Sequence, residues 1–497
     1  MLGLSKKDRS VKPADKRKTV HRKEEKPRKK ADFSTPVEKR VHARVAENPF
    51  APKTVSDAQR AAFLQKRGEE IEIYVHIPFC LKKCLYCDFL SAPAESEKQV
   101  HMYMEDLRRE IELVAADIRE EVARAEDLKE KAAKIGKGKH ASEKLLDAGI
   151  SEYALILAKE IPQNGFRVRS IFFGGGTPTV VPAEELIEVL ETIRENFTVM
   201  ENAEITLEAN PGTVTLESLK AYHNAGINRL SLGVQSANPA MLRNLGRIHT
   251  FEEARQAFFN AREAGFDNIS IDLMSGLPHQ TSEIWHDTLH RILELKPEHI
   301  SAYGLMVEDG TPFAQMYRGD GERELPTEEA ERQMYYDTER LLGEAGYVRY
   351  EISNYAKPGY ECLHNLGYWT GVDYLGIGLG ASSLWDRTRY QNVRDHKTYH
   401  AAIEKRDSNL LHTDIQKLGR NECMEEHMFL GLRCMKGISK KGFEEKFGVV
   451  YETVLGPATN RLLNKGLVET ADDGDTIRLT RKGIDVSNQV FVEFLID

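Results

Sequence analysis

The sequence predicts an α/β chain whose main body is an open, partial barrel of six strand–helix units, followed by a smaller helical module. Two observations carry this. Six β-rich runs recur, at Ile71–Ile77, Val168–Phe173, Glu204–Glu208, Arg229–Val234, Asn268–Leu273 and His299–Met306. The segments between them, among them Pro182–Asn196, Leu216–Ala225 and Phe251–Ala264, place apolar residues at helical spacing. Strands alternating with helices make parallel βαβ units, and six in succession curl into part of a barrel rather than a sandwich.

Ahead of the first strand, residues 1–70 read as a basic, disordered extension. Residues 1–60 hold 18 Lys and Arg against 8 Asp and Glu, a net +10, so the total of −9 leaves −19 for the remainder. Such a segment has too few apolar groups to offset its ordering entropy and is expected to be solvated. The whole chain, 41% hydrophobic and 30% charged over 497 residues, has enough apolar side chains for a sizeable core. No stretch approaches the ~20 apolar residues of a membrane span, and the first thirty residues lack the apolar core of a signal peptide. Six cysteines in a chain of this length do not make a disulfide scaffold. A cytoplasmic protein with no membrane span and no specific nucleic-acid partner is expected.

The barrel is expected over 71–310, with an oversized first crossover. There, about 118–150 reads as a charged Lys/Glu/Ala-rich helix interrupted by Lys134-Ile-Gly-Lys-Gly-Lys139. Residues 311–419 read as a barrel-flanking region. Residues 420–497 combine short helices with Leu467–Thr470, a turn of Ala-Asp-Asp-Gly-Asp and Thr476–Thr480, resembling a winged helix without a basic stripe. Packing as a cap on the barrel is the expected role.

The strongest chemical signal follows the first strand: Cys80-Leu-Lys-Lys-Cys84-Leu-Tyr-Cys87. Three thiols within eight residues can converge on one inorganic centre. Zinc in a closed site would want a fourth ligand, with His76 the near candidate. A four-iron cluster held by three thiolates would leave one iron open. Gly174-Gly-Gly-Thr-Pro178 follows the second strand and can present backbone N–H groups to a ligand. Polar residues end the later strands: Glu208-Ala-Asn-Pro-Gly, Gly233-Val-Gln235-Ser and Asp272-Leu-Met-Ser. Strand C-termini are where α/β barrels build their sites.

C-x3-C-x2-C with GGGTP resembles the radical S-adenosylmethionine (SAM) enzymes. The resemblance implies a partial (β/α)6 radical SAM barrel with a helical, winged-helix-like C-terminal capping domain. It implies a [4Fe-4S] cluster on Cys80, Cys84 and Cys87, with SAM on the open iron. It also implies SAM contacts from Tyr74, Tyr86, Gly175, Gly176, Thr177, Glu208, Gln235, Arg247 and Asp272.

Within that superfamily, Tyr74-Val-His-Ile-Pro-Phe-Cys80, Gly246-Arg-Ile-His249 and Tyr350-Glu-Ile-Ser-Asn-Tyr-Ala-Lys-Pro-Gly-Tyr360 resemble the oxygen-independent coproporphyrinogen III oxidase family and its heme-chaperone sister branch. The oxidases carry a fourth cysteine two residues beyond the third; here Phe89 stands there, as in the chaperone branch. His364-Asn365-Leu-Gly-Tyr368-Trp369 is similar to the HNxxYW segment that the chaperone branch associates with heme. The resemblance thus implies a heme carrier, with His364, Asn365, Tyr368 and Trp369 at the heme. A heme-acceptor protein and an electron donor such as a flavodoxin or ferredoxin are the implied partners, and no catalytic residue is assigned. Decarboxylation of coproporphyrinogen III by a 5′-deoxyadenosyl radical is the alternative. Cys362 is open between a second ligand, a thioether site and a buried thiol. The Gly376–Ser383 loop has serines where some relatives carry histidine, which leaves ligation to His364 or another group.

Overall fold

A computed structural model describes residues 68–135, 158, 161–162 and 165–496. The expected tail over 1–70 and the insertion beyond residue 135 therefore lie almost wholly outside the described residues. Six parallel strands form the centre: β1 (Glu70–Ile77), β2 (Arg167–Gly175), β3 (Thr198–Ala209), β4 (Arg229–Gln235), β5 (Ile269–Ser275) and β6 (His299–Gly304), adjacent in that order. Helices α1 (Glu97–Ile135), α2 (Ala183–Asn196), α3 (Leu216–Asn224), α4 (Phe251–Ala264), α5 (Ser282–Leu295) and α6 (Glu328–Glu344) accompany them.

The strands owe this arrangement to alternation. Ile71, Ile73, Val75, Ile171, Phe173, Ile205, Leu207, Leu230, Leu232, Ile269, Ile271 and Ile300 form one apolar core with Leu186, Leu190, Leu219, Phe258, Trp285 and Leu289 of the helices. Burying each such side chain contributes roughly 1.5–3 kcal/mol, which sets the register firmly. The intervening positions are polar: Glu72, Ser170, Glu204, Thr206, Glu208, Arg229, Ser231, Ser270, Asp272, His299 and Ser301. The barrel is thus apolar toward its helices and polar inside, the reverse of a barrel whose interior is filled by aliphatic layers.

Strands β1 and β6 do not close on each other; each is extended by further strands. At β6 these are β7 (Val348–Arg349) and β8 (Asn354–Ala356), the latter antiparallel to β6. Helix α7 (Leu363–Thr370) follows. At β1 a parallel strand, β9 (Tyr374–Ile377), leads into the antiparallel β10 (Ser382–Trp385), β11 (Thr388–Asn392) and β12 (His412–Lys417), with α8 (His396–Lys405) inserted before the last. The sheet order is β12-β11-β10-β9-β1-β2-β3-β4-β5-β6-β8-β7, so the flanking region belongs to the same sheet.

Helix α1 continues unbroken through 118–135. Intrahelical pairs Glu105–Arg109, Glu120–Arg124, Asp127–Lys131 and Glu130–Lys134 line its solvent side. The described helix ends at Ile135, where the expected Gly-Lys break begins. The last region, from α9 (Arg420–Gly431) onward, has its own core of Met428, Leu432, Phe443, Tyr451, Leu462 and Phe494. It carries a three-stranded sheet of β13 (Ile438–Ser439), β14 (Val468–Thr470) and β15 (Thr476–Leu479), with β15 central. Asp473 makes the β14–β15 turn by accepting from the N–H groups of Asp475 (2.9 Å) and Thr476 (2.8 Å). Among the described residues no helix is long and apolar enough to cross a membrane.

Candidate functional site

The site residues read from the sequence gather at two levels of the barrel. Those of the upper level stand at the C-terminal strand ends, where strand direction puts them. The loop after β1 is pinned on several sides. Cys80 N–H donates to Ala92 O at 3.1 Å, Leu85 N–H to Leu245 O at 3.1 Å, and Thr177 N–H to Phe79 O at 2.7 Å. This last contact is why residue 176 is glycine: a Cβ there would stand 2.5 Å from the Phe79 carbonyl oxygen. Gly175 has φ +111°, a conformation open to glycine, and its Cβ would strike the His76 ring at 2.5 Å.

Cys80, Cys84 and Cys87 are unbridged and half-buried. Thr177 Oγ1 lies 3.6 Å from Cys80 Sγ and Arg247 Nη1 3.5 Å from Cys84 Sγ, so a hydroxyl and a guanidinium face the sulfurs. Burial pushes the Cys87 thiol up. Among the described residues no three His, Cys, Asp or Glu side chains converge so as to hold a metal ion. The His76 imidazole is engaged instead: one nitrogen lies 3.0 Å from the Tyr74 hydroxyl and the other 2.9 Å from Leu90 O. That removes it as a fourth zinc ligand and orients Tyr74.

Below the cysteines, Glu208 and Asp272 face each other's field. Glu208 accepts from the Gly175 N–H at 3.2 Å, and Asp272 from the Ser231 hydroxyl at 3.0 and 3.1 Å. Burial and the nearby Asp272 push the Glu208 carboxyl up to about 8, and burial raises Asp272 as well. The two carboxyl groups share one interior, with only neutral donors at hydrogen-bond distance and the Arg229 charge nearby. Gln235 adds a second sign: its φ is +68°, and the β4–β5 register shifts between Gly233 and Gln235. A bulge with a left-handed non-glycine residue re-aims a side chain at local cost. Arg247 is held beside it by the Gly233 carbonyl. Tyr86 packs on Phe313, with ring centroids 6.2 Å apart, under the cysteine loop.

The second level is the barrel floor, where α7 carries His364, Asn365, Tyr368 and Trp369. Here the imidazole expected at the heme is enclosed by protein groups. His364 is 1% exposed. Its Nδ1 lies 2.9 Å from Ser170 Oγ and its Nε2 2.9 Å from the Tyr368 hydroxyl. The ring stacks on Phe172 at 5.0 Å. Burial, with Arg169 and Arg229 nearby, pushes the imidazole down to about 3, so it is neutral. Both ring nitrogens and the Tyr368 hydroxyl are thus engaged with one another or with Ser170. Trp369 lies under the Arg433 guanidinium, 4.4 Å from its ring centroid, which ties α7 to the C-terminal region. Asn365 is half-buried on the same helix. Cys362 resolves as a buried thiol: its Sγ donates to Glu204 Oε1 at 3.4 Å, and burial pushes it up.

The floor is also where sequence reasoning missed residues. Glu204 caps α7, accepting from the N–H groups of Leu363 (3.0 Å) and His364 (3.2 Å). Glu72 pairs with Arg169 at 2.8 Å and is pushed up to about 8 by burial. A Cβ on Gly367 would fall 2.0 Å from Glu72 Oε1, so the glycine inside HNxxYW lets the helix seat on that carboxylate. The available signal was a carboxylate between apolar neighbours inside a strand, Glu72 between Ile71 and Ile73 and Glu204 between Ala203 and Ile205.

An open six-strand parallel sheet with three unpaired thiols after β1 and a glycine turn after β2 defines the radical SAM class. A family profile of the Radical SAM superfamily matches residues 143–292, and one of the HemN C-terminal domain matches residues 418–486. Among curated relatives, the heme chaperone HemW of Lactococcus lactis is 33% identical over 426 residues, 85% of this chain and 97% of that one. That of Bacillus subtilis is 34% identical over 85% of this chain and 98% of its own. That of Escherichia coli is 35% identical over 66% of this chain and 74% of its own. The chain belongs to the HemW family of heme chaperones. In fold it matches the coproporphyrinogen III oxidase HemN of Escherichia coli, with a TM-score of 0.67 at 24% identity over 91% of this chain and 98% of that one.

Proposed function

We propose that this chain binds heme and hands it to an acceptor protein, and that it carries a [4Fe-4S] cluster and SAM in support of that role. The observation that carries the heme reading is the family relationship over most of the chain, joined to Phe89 at the position where the oxidases place a fourth cysteine. Phe89 is 67% exposed on the cysteine loop and has no thiolate to offer. Loading the reconstituted chain with hemin and recovering the porphyrin tests it: a carrier returns heme unchanged, whereas decarboxylated product from coproporphyrinogen III would support the oxidase.

Supporting the cofactors are three unbridged, half-buried thiols on one pinned loop, with a hydroxyl and a guanidinium facing the sulfurs. Cys80, Cys84 and Cys87 would hold the cluster, with the Arg247 guanidinium 3.5 Å from Cys84 Sγ. Glu208, Asp272, Gln235, Tyr74 and the Gly175–Thr177 turn would hold SAM, whose ammonium, sulfonium and ribose hydroxyls complement paired carboxyl groups. When bound, a cluster with one open iron supplies one-electron chemistry to SAM. The protein orients the groups. An unidentified acceptor and a small redox protein as electron donor complete the proposal, set in the cytoplasm.

The Glu208 carboxyl gives a signed pH test. Its value in the free site is about 8, above that of an ordinary carboxyl, so the free site holds a proton below that pH. A cationic ligand favours the ionised form, so SAM binding expels the proton. Affinity should therefore rise from about pH 6.5 to about pH 8 and level beyond. Calorimetry in buffers of different ionisation heat should register proton release at the lower pH and none in Glu208→Gln. A flat profile in the unsubstituted protein would remove Glu208 from the SAM site.

A further inference from the structure

Spacing decides which sulfurs can meet one cluster; the groups facing those sulfurs decide how readily it would take an electron. Two of the sulfurs have a side-chain donor beside them. The Thr177 hydroxyl, on the glycine turn after β2, reaches Cys80 Sγ across 3.6 Å. Arg247, in the turn before α4, brings Nη1 to 3.5 Å from Cys84 Sγ. Sulfur is a larger acceptor than oxygen, so both separations are within hydrogen-bond reach.

Neither donor is placed there by an ordinary structural duty. Thr177 occupies the N-cap position of the single helical turn Pro178–Val180, where a threonine hydroxyl commonly accepts from the backbone, yet it makes no capping bond. Its side-chain hydrogen bond goes to Cys80 instead. Its backbone is tied to the same loop, the N–H donating to Phe79 O at 2.7 Å, so hydroxyl and sulfur are held together. Arg247 pairs with no carboxylate among the described residues. Its Nη2 donates to the Gly233 carbonyl, which fixes the guanidinium plane and turns Nη1 toward Cys84.

We propose that Thr177 and Arg247 set the reduction potential of the cluster that Cys80, Cys84 and Cys87 would hold, each of them raising it. The proposal rests on the cluster reading of those cysteines. Reduction moves one electron from the donor protein to the cluster, with no bond broken and no proton transferred, and the added negative charge spreads onto the cysteine sulfurs. A hydroxyl donor at one sulfur and a guanidinium at another stabilise the reduced form more than the oxidised one. The first comes from the turn after β2 and the second from beyond β4. The potential is therefore a property of the assembled barrel and not of the cysteine loop alone.

Both residues also stand among the proposed SAM contacts, so the test is made without SAM. The full chain is reconstituted anaerobically, its iron is counted, and the cluster is titrated reductively while the paramagnetic signal of the reduced form is followed. Thr177→Val keeps the shape and removes the donor, and should titrate at a lower potential. The expected effect is about a tenfold smaller ratio of reduced to oxidised cluster at a fixed potential, ~59 mV for one electron. Thr177→Ser should return to the unsubstituted value, which a packing effect would not do. Arg247→Gln should shift in the same direction as Thr177→Val, and if one of the two fails to load, the other decides alone. Full clusters with unchanged potentials in both would overturn the proposal, as would a Thr177→Val shift that serine does not reverse. Loss of the cluster in both would overturn it as well, since the two residues would then serve assembly. An unsubstituted chain that takes up no cluster would overturn the cluster reading, and the proposal with it.

Discussion

Cys84→Ala is expected to abolish the iron–sulfur chromophore of the anaerobically reconstituted chain. The broad absorbance near ~400 nm should vanish, and bound iron should fall from about four per chain to near zero. Three thiolates are the whole protein contribution proposed for the cluster, so losing one leaves two corners of the cube without a protein ligand. The guanidinium of Arg247, 3.5 Å from Cys84 Sγ, would then lie beside a methyl group instead of a sulfur. Cys80→Ala and Cys87→Ala should behave alike. Cys423→Ala and Cys434→Ala are the matched controls: burial pushes both thiols up to about 12, which disfavours the thiolate a metal needs. Iron retained in Cys84→Ala, or lost in Cys434→Ala, would contradict the assignment.

The second large effect is on stability. His364→Ala should lower unfolding stability by about 3 kcal/mol or more, read as a lower urea midpoint at unchanged slope. The substitution empties a fully buried site between Phe172 and Tyr368. It also leaves the Ser170 and Tyr368 hydroxyls, each 2.9 Å from the imidazole, without that partner. A hemin titration of the folded variant, below that midpoint, reads the other role proposed for this residue: a lost Soret shift places the iron on His364, and an unchanged one leaves it to floor packing alone.

That contrast shows what was legible in the sequence and what was not. The six barrel strands were readable because their outward residues, such as Ile73, Ile171, Leu207 and Ile271, pack on helices and must be aliphatic. Helix α4 was readable at both ends: Thr250 and Glu253 form a capping box and Gly265 a left-handed stop. Strands β9 to β12 were not, being four to six residues long and drawing their stability from neighbours far away in sequence. The first half of β3 was missed too, since Thr198–Asn202 carries no buried residue.

The candidate site divides in the same way. Cysteine spacing and the glycine triplet are local constraints, and they sit where strand direction puts them. His364, Tyr368 and Trp369 present one local pattern that suits either a heme face or a floor plug. The approach of Ser170, Glu72 and Glu204 from other strands is the part that the local pattern does not carry.

Carriage of heme is tested most directly by following the porphyrin through one cycle. The cluster-reconstituted chain is loaded with one equivalent of hemin in the presence of SAM and mixed with apomyoglobin as a stand-in acceptor. The heme then recovered is analysed by mass. Carriage predicts saturable loading at one per chain, transfer to the acceptor, and a recovered mass identical to that of the heme supplied. Heme that does not load, does not leave, or returns with an altered mass would contradict it.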